Sequence, residues 1–189
     1  MNIERELSFE TDDGLAVWVR KEGPDDVPFL LEFFEHMGPE SRYQRFNEVI
    51  NNPDPAVVRR EAQRLVQLSS ERGGGWLAFS DLPDQKDAMI AGAHFVRTDP
   101  DAVELAVSVR DDLQRHGIAT QFLALVVEQL RSEGLNTIKA SFRADNRAVW
   151  AMLRSLPYRV SVTVSGSTAD ISVDIQSSEQ FVGAGHDEG

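Results

Sequence analysis

Short segments in which apolar and polar residues alternate recur along the chain, and this period of two is typical of half-buried β-strands. Such segments, or short apolar runs bounded by turn residues, are 16–20, 76–80, 88–96, 103–109, 137–142, 158–164 and 169–175. We expect residues 81–87, which include Pro83, to form the hairpin loop between the second and third strands. The pattern predicts a sheet of six or seven strands.

Apolar residues recur at helical spacing between these strands. The helices predicted in this way cover 27–34, 39–46, about 53–69, a long segment from Ile118 to Glu133-Gly134, and 146–156. The buried side of the third helix is expected to carry Val57, Val58, Leu65 and Leu68. We expect the glycines at 73–75 to break the chain before the next strand. Such helices must cover both faces of the sheet, so we predict a mixed α/β fold.

The length and composition indicate one folded unit. With 189 residues, of which 41% are hydrophobic and 26% charged, the chain has the ordinary balance of a globular protein. We expect a single domain over 1–176 and a mobile tail over 177–189, which is polar and has no periodicity. The absence of cysteine excludes disulfides, thiolate metal sites and a cysteine nucleophile.

Charge and hydropathy limit the partners that we expect. The longest apolar stretch, around 122–127, is far shorter than the roughly 20 residues of a membrane span, and the polar start at 1–6 lacks the apolar core of a signal peptide. We therefore expect a cytoplasmic protein with no membrane partner. The net charge of −12 argues against a nucleic-acid partner and tolerates a basic substrate, although solubility alone also accounts for it.

Residues 114–119 lie between a predicted strand and the most strongly predicted helix. A loop in this place brings several backbone N–H groups to the positive end of a helix dipole, which favours an anion. The small residues Gly117 and Ala119 would let a diphosphate approach the backbone closely. The spacing matches neither the G-x-x-x-x-G-K-[ST] motif of nucleoside triphosphate sites nor the G-x-G-x-x-G motif of dinucleotide sites.

Residues 109–119, followed by an apolar helix, resemble the acyl-CoA-binding motif Q/R-x-x-G-x-G/A of the GNAT superfamily of N-acetyltransferases. Residues 17–46 resemble the family's first strand and helices, and 146–148 resembles its N-x-A element. The stretches 39–46 and 103–109 are especially similar to the GNAT domain of bacterial protein lysine acetyltransferases of the Pat type.

The likeness covers about 16–175 and implies acetyl-CoA as the co-substrate, without a metal. It implies a mostly antiparallel sheet in which the strand 103–109 splays from 137–142, so that an amide-rich thioester arm can lie there as a pseudo-strand. Two main-chain positions and Asn146 would bind pantetheine, and the loop would wrap the pyrophosphate. The cofactor-binding residues so implied are Val107, Val109, Gln114, Arg115, His116, Gly117, Ile118, Ala119, Thr120 and Asn146.

The reaction implied by the resemblance is transfer of an acetyl group to an amine. It needs a base, because a free lysine has a pKa of about 10.4. The resemblance to the Pat type places that family's catalytic glutamate at Glu104. Ala106 and Ser108 should share its face of the strand, and we expect an apolar neighbourhood around it. A solvated carboxylate at a strand end is the alternative interpretation.

Two positions depart from the GNAT pattern. Many of these enzymes have a tyrosine, the general acid, seven residues beyond the N-x-A asparagine, and here that position is Leu153. The Gly-aromatic pair after this helix is replaced by Pro157-Tyr158. A thiolate can leave with little or no protonation, so catalysis survives the change in principle.

Several other residues have two interpretations each. His94 is expected to be packed or at an edge of the sheet, and a catalytic histidine is the alternative interpretation. Arg42, Tyr43 and Arg45 either line the acceptor channel, as the resemblance implies, or belong to the core and the solvated surface.

The acceptor is left open by the sequence, with an amine on a protein lysine as the leading partner and a small-molecule amine as a second. A catalytically silent domain that binds acyl-CoA as a sensor is favoured by Leu153 and opposed by Glu104. Whether two copies of the chain form a homodimer is also left open.

Overall fold

The computed structural model describes residues 6–46 and 53–177. Its strands are β1 (Leu7–Glu10), β2 (Ala16–Lys21), β3 (Gly73–Leu82), β4 (Gln85–Asp99), β5 (Ala102–Val109), β6 (Thr137–Arg143), β7 (Arg159–Ser165) and β8 (Thr168–Asp174). Its α-helices are α1 (Val27–Glu35), α2 (Pro39–Phe46), α3 (Pro55–Arg72), α4 (Ile118–Ser132) and α5 (Arg147–Ser155), and a 3-10 helix spans Asp111–Leu113. Apart from Ser177, the tail that we predict to be mobile lies outside the described residues. No helix in these two ranges is long and apolar enough to cross a membrane.

The eight described strands form one sheet in the order β1-β2-β3-β4-β5-β6-β8-β7. Neighbours in it are antiparallel except β5 and β6, which are parallel and connected through α4. The predicted mixed, mostly antiparallel sheet is confirmed, but the predicted count of six or seven strands is wrong. The missed strand, β1, has only four residues, too few for an alternating pattern to be distinguished from a turn.

The glycines at 73–75 do not break the chain but begin β3, directly after α3. Gly73 pairs with Val96 on β4, and a Cβ placed on it would lie 1.8 Å from the carbonyl oxygen of Phe95. Glycine is therefore needed here for the close approach of two strands. The hairpin is also tighter than predicted, because Leu82 pairs with Gln85 and the connection has only two residues, 83 and 84.

Two apolar layers cover the two faces of the sheet. Alternation along β3 sends Trp76 and Ala78 to one face and Leu77 and Phe79 to the other. Buried residues of α4 and α5 pack on the first face, which we call the α4/α5 face; they include Phe122, Val126, Leu130 and Leu153. Buried residues of α1 and α3 pack on the second, which we call the α1/α3 face; they include Leu30, Phe33 and Val66. Helices therefore lie on both faces, as predicted.

Helix α3 contacts the sheet through a narrower stripe than its apolar residues predict. Its buried residues are Val66 and Ser69. Of the residues expected on the buried side, Val57 is 41% exposed, and the other three, Val58, Leu65 and Leu68, are half-buried. The first turns of the helix hold no buried residue, so apolar spacing there does not report the position of the core.

Candidate active site

Strands β5 and β6 pair over a short distance and then separate. The paired residues are Ala102 with Thr137, Val103 with Ile138, and Glu104 with Lys139. Beyond them β5 stays paired with β4, and the Arg110 N–H donates to the Ile90 carbonyl at 2.9 Å. Since backbone groups point alternately to the two sides of a strand, those of Val107 and Val109 point towards β6. The cleft between β5 and β6 is therefore lined by peptide groups that no strand pairs.

A buried arginine anchors the loop that follows β5. The Arg110 guanidinium donates from Nε and Nη2 to the two carboxylate oxygens of Asp112, at 3.0 and 2.8 Å. Its Nη1 donates to Gln85 Oε1 at 3.4 Å. The hydrogen bonds from Arg110 hold the pKa of the Asp112 carboxyl below its usual range. The base of the loop is therefore fixed before the chain enters α4.

Left-handed backbone at two residues turns the loop into α4, with φ of 70° at Arg115 and 76° at Gly117. Gly117 is the N-cap, and no side chain in the described ranges caps this helix. The first N–H groups of α4 are thus left at the positive end of the helix dipole, the arrangement that an anion needs. The Ile118 side chain is buried in the core, whereas Thr120 is exposed and Ala119 is half-buried. Ile118 can therefore meet a ligand only through its backbone.

His116 lies beside the turn between β1 and β2. Its Nδ1 is hydrogen-bonded to Asp13, which also accepts a hydrogen bond from the Thr11 hydroxyl. The hydrogen bond from Thr11, and then that from His116, hold the pKa of the Asp13 carboxyl below its usual range. His116 therefore has a carboxylate partner on the surface, and its contact with a pyrophosphate stays a prediction.

Helix α2 connects the two sides of the cleft. On the β5 side, Gln114 Nε2 donates to Ser41 Oγ at 3.3 Å and also lies 3.4 Å from the Val109 carbonyl oxygen. On the β6 side, Arg143 Nη1 donates to the Tyr43 hydroxyl at 2.8 Å. Sequence reasoning did not single out Ser41, although it lies in the stretch 39–46, or Arg143, since their contacts span long stretches of chain.

Two of the three α2 residues considered for an acceptor channel face the cleft. Arg42 stacks over the ring of Phe34 and donates to its carbonyl oxygen at 3.1 Å, so it belongs to the packing of α1 on α2. Tyr43 contacts Arg143, and the charge of Arg45 interacts with that of Glu104.

Asn146 is the N-cap of α5. Its Oδ1 accepts from the Val149 N–H at 3.2 Å, as expected of a capping side chain. Its Nδ2 donates to Gln44 Oε1 on α2, also at 3.2 Å. The side-chain amide retains a second N–H and a second acceptor lone pair, so a bond to pantetheine is compatible with both contacts. The pantetheine contact stays a prediction.

Glu104 is the last residue of β5 that pairs with β6, so it stands where the cleft opens. It is exposed, and the apolar neighbourhood that we expected is not found, because α2 brings the guanidinium of Arg45 towards it. Burial lowers the pKa of Arg45, and the negative charge of Glu104 acts in the opposite direction. Ala106 and Ser108 are half-buried further along the strand. The surroundings of Glu104 are thus those of a solvated carboxylate.

The position of the usual tyrosine acid is filled by a core residue. Leu153 is 1% exposed and belongs to the α4/α5 core, against which Tyr158 and Trp150 also pack. The residue at this position is therefore apolar and buried in the core, where it cannot donate a proton. Within the described ranges, no three His, Asp or Glu residues lie close enough together to hold a metal ion.

Solved structures share this fold at low sequence identity. The GNAT domain of S. lividans PAT has a TM-score of 0.73 and 19% identity, with 89% of this chain and 96% of that chain covered. A cAMP-binding acyltransferase from Mycobacterium smegmatis has a TM-score of 0.57 and 20% identity, with 89% of this chain and 46% of that chain covered. Ribosomal-protein-alanine N-acetyltransferase from Brucella melitensis has a TM-score of 0.56 and 16% identity, with 82% and 96% covered.

The family is shown by sequence. Residues 17–159, more than half of the chain, match the model of the acetyltransferase (GNAT) domain. This range includes the cleft between β5 and β6, the loop that leads into α4, and the start of α5. The chain therefore belongs to the GNAT acetyltransferase domain family.

Proposed function

We propose that this protein transfers an acetyl group from acetyl-CoA to a primary amine, with a protein lysine as the leading acceptor. The observation that carries the proposal is the separation of β5 from β6 immediately after Glu104, beside the uncapped start of α4. The opened strand edge can bind the amides of a thioester arm, the helix start can bind its diphosphate, and the carboxylate lies where the cleft opens.

The residues present fit the co-substrate. The backbone groups of Val107 and Val109 point into the cleft and would bond the amides of the pantetheine arm, as a neighbouring strand would. Residues 114–120 would hold the pyrophosphate through backbone N–H groups. At Gly117 a side chain would meet little, since a Cβ there has Gln121 Nε2 as its nearest neighbour at 3.8 Å. The left-handed backbone, rather than crowding, accounts for glycine at this position.

Glu104 would accept the proton that the acceptor ammonium must lose, directly or through water. The reaction forms a bond between the amine nitrogen and the acyl carbon and breaks the bond between that carbon and sulfur. The ammonium gives up two protons in total; one ends on the sulfur of CoA and the other in solvent. Because Leu153 cannot donate a proton, the thiolate would leave without a side-chain acid from that position.

A protein acceptor is supported by charge and by one structural neighbour. The net charge of −12 attracts basic segments of a partner and opposes acidic ones. The Brucella melitensis protein is named as an acetyltransferase of a ribosomal protein. The charge favours a basic acceptor of either kind, and the structural neighbour favours a protein amine; the acceptor panel below would reveal a small-molecule acceptor instead.

A second candidate function is a silent domain that binds acyl-CoA without transferring the acyl group. The buried Leu153 favours it, because a phenol that other members use is replaced by a packed apolar side chain. The position of Glu104 at the opening of the cleft opposes it.

A thiol-release assay with acetyl-CoA separates these functions. Lysine peptides, polyamines and aminoglycosides serve as acceptors, and calorimetry measures acetyl-CoA binding in parallel. Release of CoA with lysine peptides supports the proposal. Release with polyamines or aminoglycosides alone would make a small-molecule amine the acceptor. Tight acetyl-CoA binding with no release for any amine would leave the silent domain as the function.

A further inference from the structure

A buried carboxylate and an imidazole form a pair on the α1/α3 face of the sheet. Glu22 Oε1 lies 2.9 Å from Nε2 of His94, and the two side chains are 2% and 11% exposed. The other carboxylate oxygen, Oε2, is buried and has no hydrogen-bond partner among the described residues. A buried carboxylate is costly unless it is paired, so a pair of this kind calls for a reason.

Glu22, directly after β2, lies in a row with Gly75 of β3, His94 of β4 and Ala106 of β5. The small residues Gly75 and Ala106 leave room for the pair. The Glu22 N–H donates to the Gly75 carbonyl oxygen, Gly75 pairs with His94, and His94 pairs with Ala106. A Cβ at Gly75 would lie 2.7 Å from Glu22 Oε2 and 3.1 Å from Glu22 Cβ, so a larger residue here would displace the Glu22 side chain from its place over β3. The row leads from β2 to the strand that borders the cleft.

The row ends beside the residue proposed as the base. Paired residues share a face of the sheet, and alternate residues of one strand do too, so His94, Ala106 and Glu104 all lie on the α1/α3 face. His94 is opposite Ala106, which makes Glu104 its diagonal neighbour, with Cβ atoms about 7 Å apart by sheet geometry. One or two water molecules can bridge such a gap.

We propose that His94, oriented by Glu22, is a relay residue that takes up through water the proton that Glu104 removes from the acceptor ammonium. The inference rests on the proposed acetyl transfer. Nε2–H donates to Glu22, which leaves the lone pair on Nδ1, an atom with no hydrogen-bond partner in the described part of the chain. While the bound acceptor covers Glu104, the proton passes from the ammonium to Glu104, then through water to Nδ1, and finally to solvent, so Glu104 is free for the next turnover.

Charged residues occur on several elements around His94. Glu22, the residue after β2, contacts it, Glu104 of β5 is its diagonal neighbour, and Arg45 of α2 interacts with Glu104. The buried residues of α3, Val66 and Ser69, are uncharged, but α1 and α3 both pack against β4 and carry charged residues, which are Glu32, Glu35, Arg59, Arg60, Glu61, Arg64, Glu71 and Arg72. Because His94→Gln leaves all of these groups in place, a change in the pH dependence of the rate is assignable to the imidazole.

The test compares the wild type with His94→Gln and Glu22→Gln, and with His36→Gln as a control. His36 is an exposed histidine at the end of α1, and its charge acts on Asp112 in the loop before α4. We expect His94→Gln to lower kcat on the order of a hundredfold, the low end for a positioned proton acceptor, with unchanged acetyl-CoA affinity. Glu22→Gln should lower kcat by about tenfold, as for an orienting partner. The ratio of the wild-type rate to the rate of His94→Gln should also change with pH.

Nitrogen NMR of the wild-type imidazole gives a readout that needs neither turnover nor a folded variant. In its neutral form His94 should carry its proton on Nε2, with Nδ1 unprotonated. A proton on Nδ1 overturns the relay.

Kinetic outcomes separate the relay from the function on which it rests. If the wild type acetylates amines and His94→Gln keeps the wild-type rate, the relay is wrong and the transferase stands. An equal loss at every pH would make the pair a structural one and would also overturn the relay. If the wild type binds acetyl-CoA and acetylates no amine, the proposed function fails, and the relay fails with it.

Discussion

Replacement of Asn146 by alanine removes two contacts that the structure shows and one that the family resemblance implies. The cap bond to the Val149 N–H contributes about 1 kcal/mol, and the bond to Gln44 contributes about 1 kcal/mol more. Asn146→Ala should therefore lower the free energy of unfolding by about 2 kcal/mol. For a chain of this size that corresponds to a fall in Tm of about 4 to 8 °C, measured by calorimetry without ligand.

The same variant should lose acetyl-CoA affinity if Asn146 also binds pantetheine. Loss of one buried partner weakens binding by about 1 to 2 kcal/mol, or roughly 5- to 30-fold in Kd. Asn146→Ser is the matched control, because serine caps helices about as well as asparagine but lacks the amide donor. It should keep the cap and lose the bond to Gln44, so its Tm should fall by about half as much as that of Asn146→Ala, and it should still bind acetyl-CoA more weakly. A serine variant with wild-type Kd would refute the pantetheine contact and leave Asn146 as a helix cap.

Three further changes test other parts of the site. Gly117→Glu should abolish acetyl-CoA binding in calorimetry, because it places a carboxylate where backbone N–H groups meet an anion; unchanged affinity in a folded variant would contradict the loop assignment. Glu104→Gln should keep acetyl-CoA affinity and lower kcat by about a hundredfold near pH 7, with part of the rate recovered in alkaline buffer; a wild-type rate would place the base elsewhere. Asp112→Asn should lower Tm at neutral pH, and its difference in Tm from wild type should shrink as pH falls through the lowered pKa of Asp112. The reason is that a depressed folded-state pKa stabilises the protein above the pKa of the unfolded state, and this stability is lost as pH falls through the folded-state pKa. A difference in Tm that is independent of pH would contradict this.

Much of the fold follows from local patterns. The segments 27–34 and 39–46 contain enough periodic residues to predict α1 and α2 closely, and the loop 114–119 combines a strand end, small residues and a helix start. The glycines at 73–75 were misread because glycine usually marks a turn. Here glycine is needed because the backbone of Phe95, 22 residues beyond Gly73, approaches too closely for a side chain.

Contacts between distant segments account for what the sequence could not predict. The pair of Glu22 and His94 joins residues 72 positions apart, and Asn146 and Gln44 are 102 apart. Neither spacing has a periodic signature, because such pairs depend on how the strands and helices assemble. The charge of Arg45 near Glu104 was missed for the same reason, since Arg45 belongs to α2.

The short ladder between β5 and β6 divides the sheet into a plate of five strands and a plate of three, held together there by three residue pairs. A ligand whose amides continue that ladder would work as a strand of the folded protein as well as a reactant. Binding free energy would then appear directly as conformational stability, growing with the logarithm of ligand concentration above Kd. The junction of β5 and β6, rather than the core, would be the part of the molecule whose rigidity increases with the concentration of the co-substrate.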